Sequence, residues 1–320
     1  MDKLAISFII SGPDFAYIKE ALRSLKATTQ TPHRIYVVVN NGMAPNDPAL
    51  LALLDDYPDL GYIINQDRMG FAANHNQVMV AADAEYVALL NDDIILHEGA
   101  MDKLVAYMDA HPDVGLTGSQ QYNPDGTHQV AVYDDPSLFR MIYKISGFAK
   151  LTTEQSLTRR VLQRTGLANI LGVESLKLQT QTHEVDIIKG VVMFVRRTTY
   201  EQAGMMDETT PIYGEEAEWH LRIRKAGWKV VFVAESKVTH FGQGQATLNL
   251  KGRILVEDRR SILNYFIKHR PRWQVWVIRA AIVTSHTFWG VVWFPFSRSR
   301  SQTHFQTVNV GLRWQRPTED

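Results

Sequence analysis

The 320-residue chain has no cysteine, and its 34 Lys+Arg are cancelled by 34 Asp+Glu. The first absence excludes disulfide scaffolds, thiolate zinc sites, iron–sulfur clusters and a cysteine nucleophile together. The missing basic excess argues against a dedicated nucleic-acid binder, which needs cations to meet phosphates. Nothing at the N-terminus reads as a secretory leader: the apolar run over 4–10 is too short, and Pro13-Asp14 stands where a cleavage region would follow. The expectation is a protein that starts in the cytoplasm. No repeat at solenoid periods is visible. What the chain does have is 45% hydrophobic and 21% charged residues. That is enough to bury a full-sized core, in one large domain or two smaller ones.

Through the first 120 residues, strand and helix patterns alternate. Compact apolar runs at 4–10, 34–40, 60–64, 86–90 and 114–118 read as buried parallel strands. A helix capped by Asp14 carries Phe15, Ile18, Ala21, Leu22 and Leu25 on one face. Asp47-Pro48 opens a second helix through Leu54, and two more patterns cover 71–82 and 99–111. The alternation predicts an α/β fold with a mostly parallel sheet flanked by helices, its ligands beyond the carboxyl ends of the strands. Asn123-Pro124-Asp125-Gly126 is a strong turn. Residues 136–178 carry amphipathic helical patterns rich in Leu and Arg. Strand patterns return at 185–188, 191–195 and 229–233, with a helix over 215–226 before the last. From Lys251 the composition turns basic, Trp-rich and helical, and from Ser297 it reads as a poorly ordered tail.

Four segments can carry chemistry. In Leu89-Leu90-Asn91-Asp92-Asp93-Ile94-Ile95-Leu96 an apolar strand runs into two adjacent acids. Acids at a strand end are mostly solvated turn residues. At the mouth of a parallel sheet they can instead hold Mg²⁺ or Mn²⁺, and the ion a diphosphate. Residues 65–76 lead from the third strand into a helix; Gly70 lets the backbone approach a ligand, and Asn74 and Asn76 offer amides near the helix N-terminus. Glu215-Glu216-Ala217-Glu218 opens a helix whose later turns hold Arg222, Arg224 and Lys225. Dipole complementarity and i,i+4 pairs explain much of that pattern. A carboxylate after the loop Pro211-Ile212-Tyr213-Gly214 also suits a general base. His240, followed by Gly242 and Gly244, ends the last strand. A lone His is more often structural than a ligand, and two glycines do not make a dinucleotide fingerprint.

In order and spacing these segments resemble the family 2 glycosyltransferases of the GT-A fold, in the branch that includes bacterial rhamnosyltransferases of polysaccharide assembly. The stretches that carry the resemblance are Val37-Val38-Val39-Asn40-Asn41-Gly42, 65–76, Leu90-Asn91-Asp92-Asp93, 118–126, 185–197, 215–227 and His240 with its glycines. They run from residue 6 to about 269 and leave 136–183 and the far C-terminus unmatched. The resemblance implies a GT-A catalytic domain over 1–250, with 1–120 as the nucleotide-sugar half and 121–250 as the acceptor half. A C-terminal helical extension over 251–297 and a tail over 298–320 would follow. Ile10, Ser11, Asn40, Asp67, Gly70, Asn74, Asn91 and Asp92 would line the nucleotide-sugar site, with Asn40 on the base. Asp93 and His240 would hold Mg²⁺ or Mn²⁺. Glu216, or its neighbour Glu215, would deprotonate the acceptor hydroxyl. Asn40 and Glu216 stand where the family usually has Asp, and Asn91 replaces the first acid of its D-x-D motif.

The implied reaction moves a sugar, rhamnose among the candidates, from a dTDP- or UDP-sugar to a saccharide or polyprenyl-diphosphate-linked acceptor. In-line attack needs a base on one face and charge neutralisation of the departing diphosphate on the other, which predicts inversion in one displacement. Two rivals keep the same architecture. A sugar nucleotidyltransferase should carry a glycine-rich basic loop after the first strand, where this chain has Ser11-Gly12-Pro13-Asp14. A non-catalytic nucleotide-sugar-binding or scaffold protein would tolerate the departures at Asn91 and Glu216.

The cancelled charge hides a division. Residues 1–250 hold 22 Lys+Arg against 30 Asp+Glu, whereas 251–320 hold 12 against 4. Five of the seven tryptophans lie beyond residue 270, and no charged side chain occurs between Arg279 and Arg298. The stretch is marginal for a span of ~20 apolar residues. It fits better a helix lying among lipid headgroups, the alternative being a helix docked on the protein's own core or another subunit. The expected partner is an anionic membrane surface at the inner face of the cytoplasmic membrane; nucleic acid is not expected.

Overall fold

Strand β1 (Asp2–Ile10) is buried on both faces from Leu4 onward, as an unbroken apolar run requires. The computed structural model describes residues 1–12, 15–40, 42, 44, 46–147, 161, 164, 179–209, 214–242 and 254–315. In chain order there follow α1 (Ala16–Thr28), β2 (His33–Val39), α2 (Pro48–Asp56), β3 (Gly61–Ile64), α3 (Phe71–Ala81), β4 (Ala84–Asn91) and β5 (Ile94–Leu96). Next come α4 (Ala100–Ala110), β6 (Val114–Tyr122), β7 (His128–Gln129), β8 (Val132–Tyr133) and α5 (Leu138–Ser146). After β9 (His183–Glu184), β10 (Ile187–Ile188) and β11 (Val192–Arg196) stand α6 (Arg197–Ala203), α7 (Glu215–Lys225) and β12 (Lys229–His240). Three helices close the chain: α8 (Ile254–His269), α9 (Arg272–Trp293) and α10 (Arg298–Arg313).

The chain divides into two compact units. The first comprises Met1–Tyr133, Leu176–Glu208 and Glu218–Asn249. It holds a sheet in the order β3-β2-β1-β4-β11-β6-β12-β5, with β7 added to β6 and β9 to β12; β8 and β10 pair separately. From β3 to β4 every pairing is parallel. β11 runs antiparallel to both its neighbours, β6 and β12 are parallel again, and β5 is antiparallel. Alternate side chains of β1 serve two cores. Leu4, Ile6, Phe8 and Ile10 pack with Ile18, Leu22 and Leu25 of α1 and with Met101, Leu104 and Met108 of α4. On the other face Ala5, Val38, Val87 and Leu89 meet Val78 and Met79 of α3 and Trp219 and Ile223 of α7.

Several elements differ from expectation. The N-cap of α1 is Phe15, with no side-chain cap; Asp14, expected there, lies outside the described residues. Asp47 does cap α2, accepting from the N–H groups of Ala49 and Leu50, with Pro48 at the first position. β12 runs past the expected stop at Val233 to His240, because exposed Glu235 and Lys237 alternate with buried Ser236 and Val238. Three-residue β5 and helix α6 are additions. Of the helical patterns over 136–178, α5 falls within the described residues and the stretches 148–160, 162–163 and 165–178 lie outside them.

The second unit comprises Asp134–Ser175, Thr209–Ala217 and Leu250–Asp320. The tail expected from Ser297 is a 16-residue helix, α10. Ser297 caps it, its hydroxyl accepting from the N–H of Arg300. Gly311 lets α10 lie close against α9: an added Cβ would stand 2.8 Å from Val283 Cγ2. Along α9 the buried positions Ile278, Ile282, His286 and Gly290 recur every fourth residue, the stripe of a one-sided helix. Polar bonds hold that side: Arg279 donates to the carbonyls of Gly311 and Trp314, and Ser301 to that of Gly290. Ser285 and Trp289 donate to the carbonyls of Ile145 and Ser146. The opposite side leaves Trp273, Trp276, Val277, Phe288 and Val291 exposed, with Phe294 just beyond.

Candidate active site

Register brings three expected positions to one sheet edge. Ile10 pairs with Val39, Ile9 with Asn91, and the N–H of Asn40 donates to the carbonyl of Ile10. At that edge Asn40, 5% exposed, clamps the following loop. Its Oδ1 accepts from Met69 N at 2.8 Å and its Nδ2 donates to Met69 O at 2.9 Å. Asn74, expected to line the nucleotide site, is fully buried. Its Oδ1 accepts from Asn65 Nδ2 at 2.7 Å, and its Nδ2 donates to Gly70 O at 2.7 Å. Asn76 donates to Met206 O and Glu208 Oε1. The asparagines of this segment therefore fasten loops, while Asp67 stands exposed. Gly70 is the N-cap of α3 at φ −69°, backbone that any residue can adopt. Arg68 donates to the carbonyl of Ser11. Asn41, Pro13 and Asp14 lie outside the described residues.

The acids after β4 differ in environment. Asn91 ends the strand, its N–H on Val191 O. Half-buried Asp92 is pushed up to about 7, by burial first and then by the charge of Asp93. Asp93 is 2% exposed and His240 6%; His240 Nε2 lies 3.3 Å from Asp93 Oδ1. Two bonds fix this meeting. The N–H of Phe241 donates to Asp93 O, and His240 Nδ1 lies 2.6 Å from Gln129 Oε1. Gly242, at φ +65°, turns the chain away in a conformation that suits glycine. Gln243, Gly244 and Gln245 lie outside the described residues.

Among the described residues no group of three or more His, Asp or Glu gathers as a metal cage. Asp93 and His240 nonetheless fit a small hard cation. Mg²⁺ keeps several waters and takes substrate phosphate oxygens, so one or two protein ligands suffice; Mn²⁺ accepts imidazole and carboxylate alike. A cation here would also relieve the adjacent charges of Asp92 and Asp93.

At the start of α7, Glu215 is 3% exposed, and burial, then the charge of Glu216, hold its carboxyl well above the usual range. Its Oε2 meets no hydrogen-bond donor among the described residues. Glu216 is half-buried, and its Oε2 accepts from the N–H of Gly214 at 3.3 Å. Pro211, Ile212 and Tyr213 lie outside the described residues. Glu218 pairs with Arg222 within the helix, as i,i+4 spacing predicts.

Sequence reading missed Gln129, which sits in a two-residue strand with no pattern of its own; the turn Asn123-Pro124-Asp125-Gly126 before it was the available signal. It also missed Gln120 and Gln121 at the end of β6. Both are buried, and Gln121 Nε2 and Oε1 and Gln120 Oε1 have no hydrogen-bond partner among the described residues. Buried amides left so are rare in folded proteins.

Comparison with known proteins agrees with this architecture. The model of the family described as glycosyltransferase like family 2 matches residues 8–275. A curated relative, the N-acetylglucosaminyl-diphospho-decaprenol L-rhamnosyltransferase of Mycobacterium tuberculosis, is 21% identical over 281 residues, covering 83% of this chain and 86% of the relative. Residues 1–349 of TarS from S. aureus, solved with UDP-GlcNAc, superpose with a TM-score of 0.56 at 12% identity, over 97% of this chain and 81% of that one. The mannosyltransferase PcManGT from Pyrobaculum calidifontis, solved with GDP-Man and Mn²⁺, gives 0.53 at 12% identity, over 98% and 87%. The mostly parallel, helix-flanked sheet is the GT-A architecture. With a family match spanning most of its length, the chain belongs to glycosyltransferase family 2, as a nucleotide-sugar-dependent enzyme similar to rhamnosyltransferases.

Proposed function

We propose that the chain transfers a sugar from a nucleoside-diphosphate donor to a lipid-linked saccharide, by a single displacement that inverts the anomeric centre. The convergence of buried Asp93 and His240 at 3.3 Å carries the reading. Asp93 and His240 hold Mg²⁺ or Mn²⁺, which when bound neutralises the charge of the departing diphosphate. Asn40 and Asn74 support the donor by keeping loop 65–70 in place, and Ile10, Ser11, Asp67, Gly70, Asn91 and Asp92 line the path of the nucleotide-sugar. Glu216 is assigned as the base. Glu215 is 3% exposed, out of reach of an acceptor, whereas half-exposed Glu216 can meet an acceptor hydroxyl. A dTDP- or UDP-linked donor is favoured. The name of the Mycobacterium relative specifies a diphospho-decaprenol carrier and a rhamnosyl group, which supports a polyprenyl-diphosphate acceptor and rhamnose as the first sugar to try.

Such an acceptor lies in a membrane, and the exposed side of α9 supports a place at its cytoplasmic face. That side is mainly apolar along a 22-residue helix, about 33 Å at ~1.5 Å per residue. The other side is committed to polar bonds within its unit, so α9 rests on the bilayer instead of crossing it.

The test is a thermal-shift screen of dTDP-, UDP- and GDP-sugars with Mn²⁺, followed by turnover of the best binder. Asp93→Ala and Glu216→Gln should each lower nucleoside-diphosphate release by ~10²-fold or more with the fold intact. Glu215→Gln should keep most activity; if it is the dead variant, the base is Glu215. A donor that stabilises the protein yet is never consumed would replace the enzyme with a binding protein.

A further inference from the structure

The turn Asn123-Pro124-Asp125-Gly126 is prominent in the sequence, yet none of its residues has a place in the reaction. It folds β7 back on β6, pairing Gln121 with Gln129 and Tyr122 with His128. It also starts a line of hydrogen bonds whose direction can be read from its outer end. Asp125, an exposed carboxylate, accepts only; the Thr127 hydroxyl bond holds it below the usual range. Thr127 Oγ1 must therefore donate to Asp125 Oδ1, at 2.6 Å. That leaves Thr127 Oγ1 to accept from Asn123, at 2.9 Å, which fixes the facing atom as Nδ2. The other end of Asn123 is then Oδ1, so the atom of Gln129 that meets it at 2.8 Å is the donor Nε2. Gln129 consequently presents Oε1 to His240 Nδ1, at 2.6 Å. An oxygen with no proton there demands N–H on Nδ1.

We infer that the line Asp125–Thr127–Asn123–Gln129 locks His240 in the Nδ1–H tautomer and so aims its Nε2 lone pair at Asp93. Resting on the metal-assisted reading above, the lock would offer Nε2 and Asp93 Oδ1, 3.3 Å apart, to one cation. With the ring neutral, two acceptors face each other there, a pair that a cation would join where a hydrogen bond would need a proton on Nε2. Gln129 is thus a positioning residue: it touches His240 and acts on the cation through it, as partners of metal-bound histidines commonly do.

The experiment uses the full chain at one fixed pH. Mn²⁺ alone is titrated by calorimetry into wild type, Gln129→Met and Gln129→Glu, and the ring nitrogens of His240 are read by long-range ¹H–¹⁵N NMR without metal. Gln129→Met keeps the bulk but removes the acceptor, and should weaken Mn²⁺ ~10–100-fold. Gln129→Glu keeps an acceptor on Nδ1 once Asn123 turns its amide over and the Thr127 hydroxyl turns from Asp125 to it, Asp125 keeping the Thr127 N–H, and should stay within a few-fold of wild type. The NMR should show Nδ1–H and bare Nε2 in wild type. Equal Mn²⁺ affinity in Gln129→Met, equal loss in Gln129→Glu, or a proton on Nε2 in wild type would each overturn the lock. Nδ1–H in a chain that takes up no Mn²⁺ would support the lock and remove the metal reading instead.

Discussion

His75 and His220 are both fully buried, and burial pushes each down to about 3. Each keeps one hydrogen bond at Nδ1, shared with Ser7 Oγ at 2.8 Å in His75 and accepted from the N–H of Ile188 at 3.2 Å in His220. In the unfolded chain the same rings titrate near 6.5. Below that value the unfolded state binds more protons than the folded one, so stability present above ~6.5 is lost as pH falls toward ~3. The slope is up to ~1.4 kcal/mol per pH unit for each ring. Unfolding free energies from urea titrations at pH 6.5 and pH 5 should therefore differ less in His75→Gln than in wild type, by about 1.6 kcal/mol; an unchanged pH dependence would show that His75 charges in place. Residue by residue, the acids were the legible part of the site, because two carboxylates at a strand end stand out in any chain. The asparagines were legible as a group and not in their direction. Whether Asn40 and Asn74 face a ligand or a neighbouring backbone depends on where Met69 and Gly70 lie, which no spacing encodes.

Among elements, those with a long local signal were readable. β1 shows its unbroken apolar run, α3 its small-residue face and α2 its Asp47-Pro48 opening. β5 has three residues, fewer than a strand period can mark, and exists because Val238, Thr239 and His240 offer it an edge. Gln129 meets His240 across 111 residues, a distance over which sequence pattern carries no information. α10 was misread because Ser, Arg, Gln and Thr dominate it. Its stability comes from contact: an added Cβ would stand 3.0 Å from the Phe305 ring at Gly290 and 2.8 Å from Val283 at Gly311, so a larger side chain at either must push its neighbour aside. Gly311→Leu should force the two helices apart at a cost of about 1–3 kcal/mol, read as a lower urea midpoint together with new protease cleavage inside α10. Cleavage unchanged from wild type would mean that α10 needs no close packing.

At the scale of the molecule, charge and apolar surface are distributed unevenly. The exposed side of α9 carries Trp276 at 66% and Phe288 at 60% exposure, and exposed Arg272, Arg298 and Arg300 flank the helix. Arg300 also stacks on Trp293, 4.5 Å from its ring. Cations near the plane of the headgroups and aromatics below it are the arrangement that anionic lipid selects. The chain should float with vesicles containing phosphatidylglycerol, less with neutral ones, and less again at high salt. Replacing Trp276 and Phe288 together by Ser should weaken binding about 30-fold, or about 2 kcal/mol. Flotation unaffected by that pair would assign the surface to another partner. For an enzyme held this way, the stripe on α9 changes what concentration means. Such an enzyme and a lipid-anchored acceptor would meet by drifting in two dimensions, so their encounter rate would follow molecules per unit area. Adding inert lipid at constant volume then slows the reaction although nothing in the bulk has been diluted, while packing the acceptor into fewer vesicles speeds it.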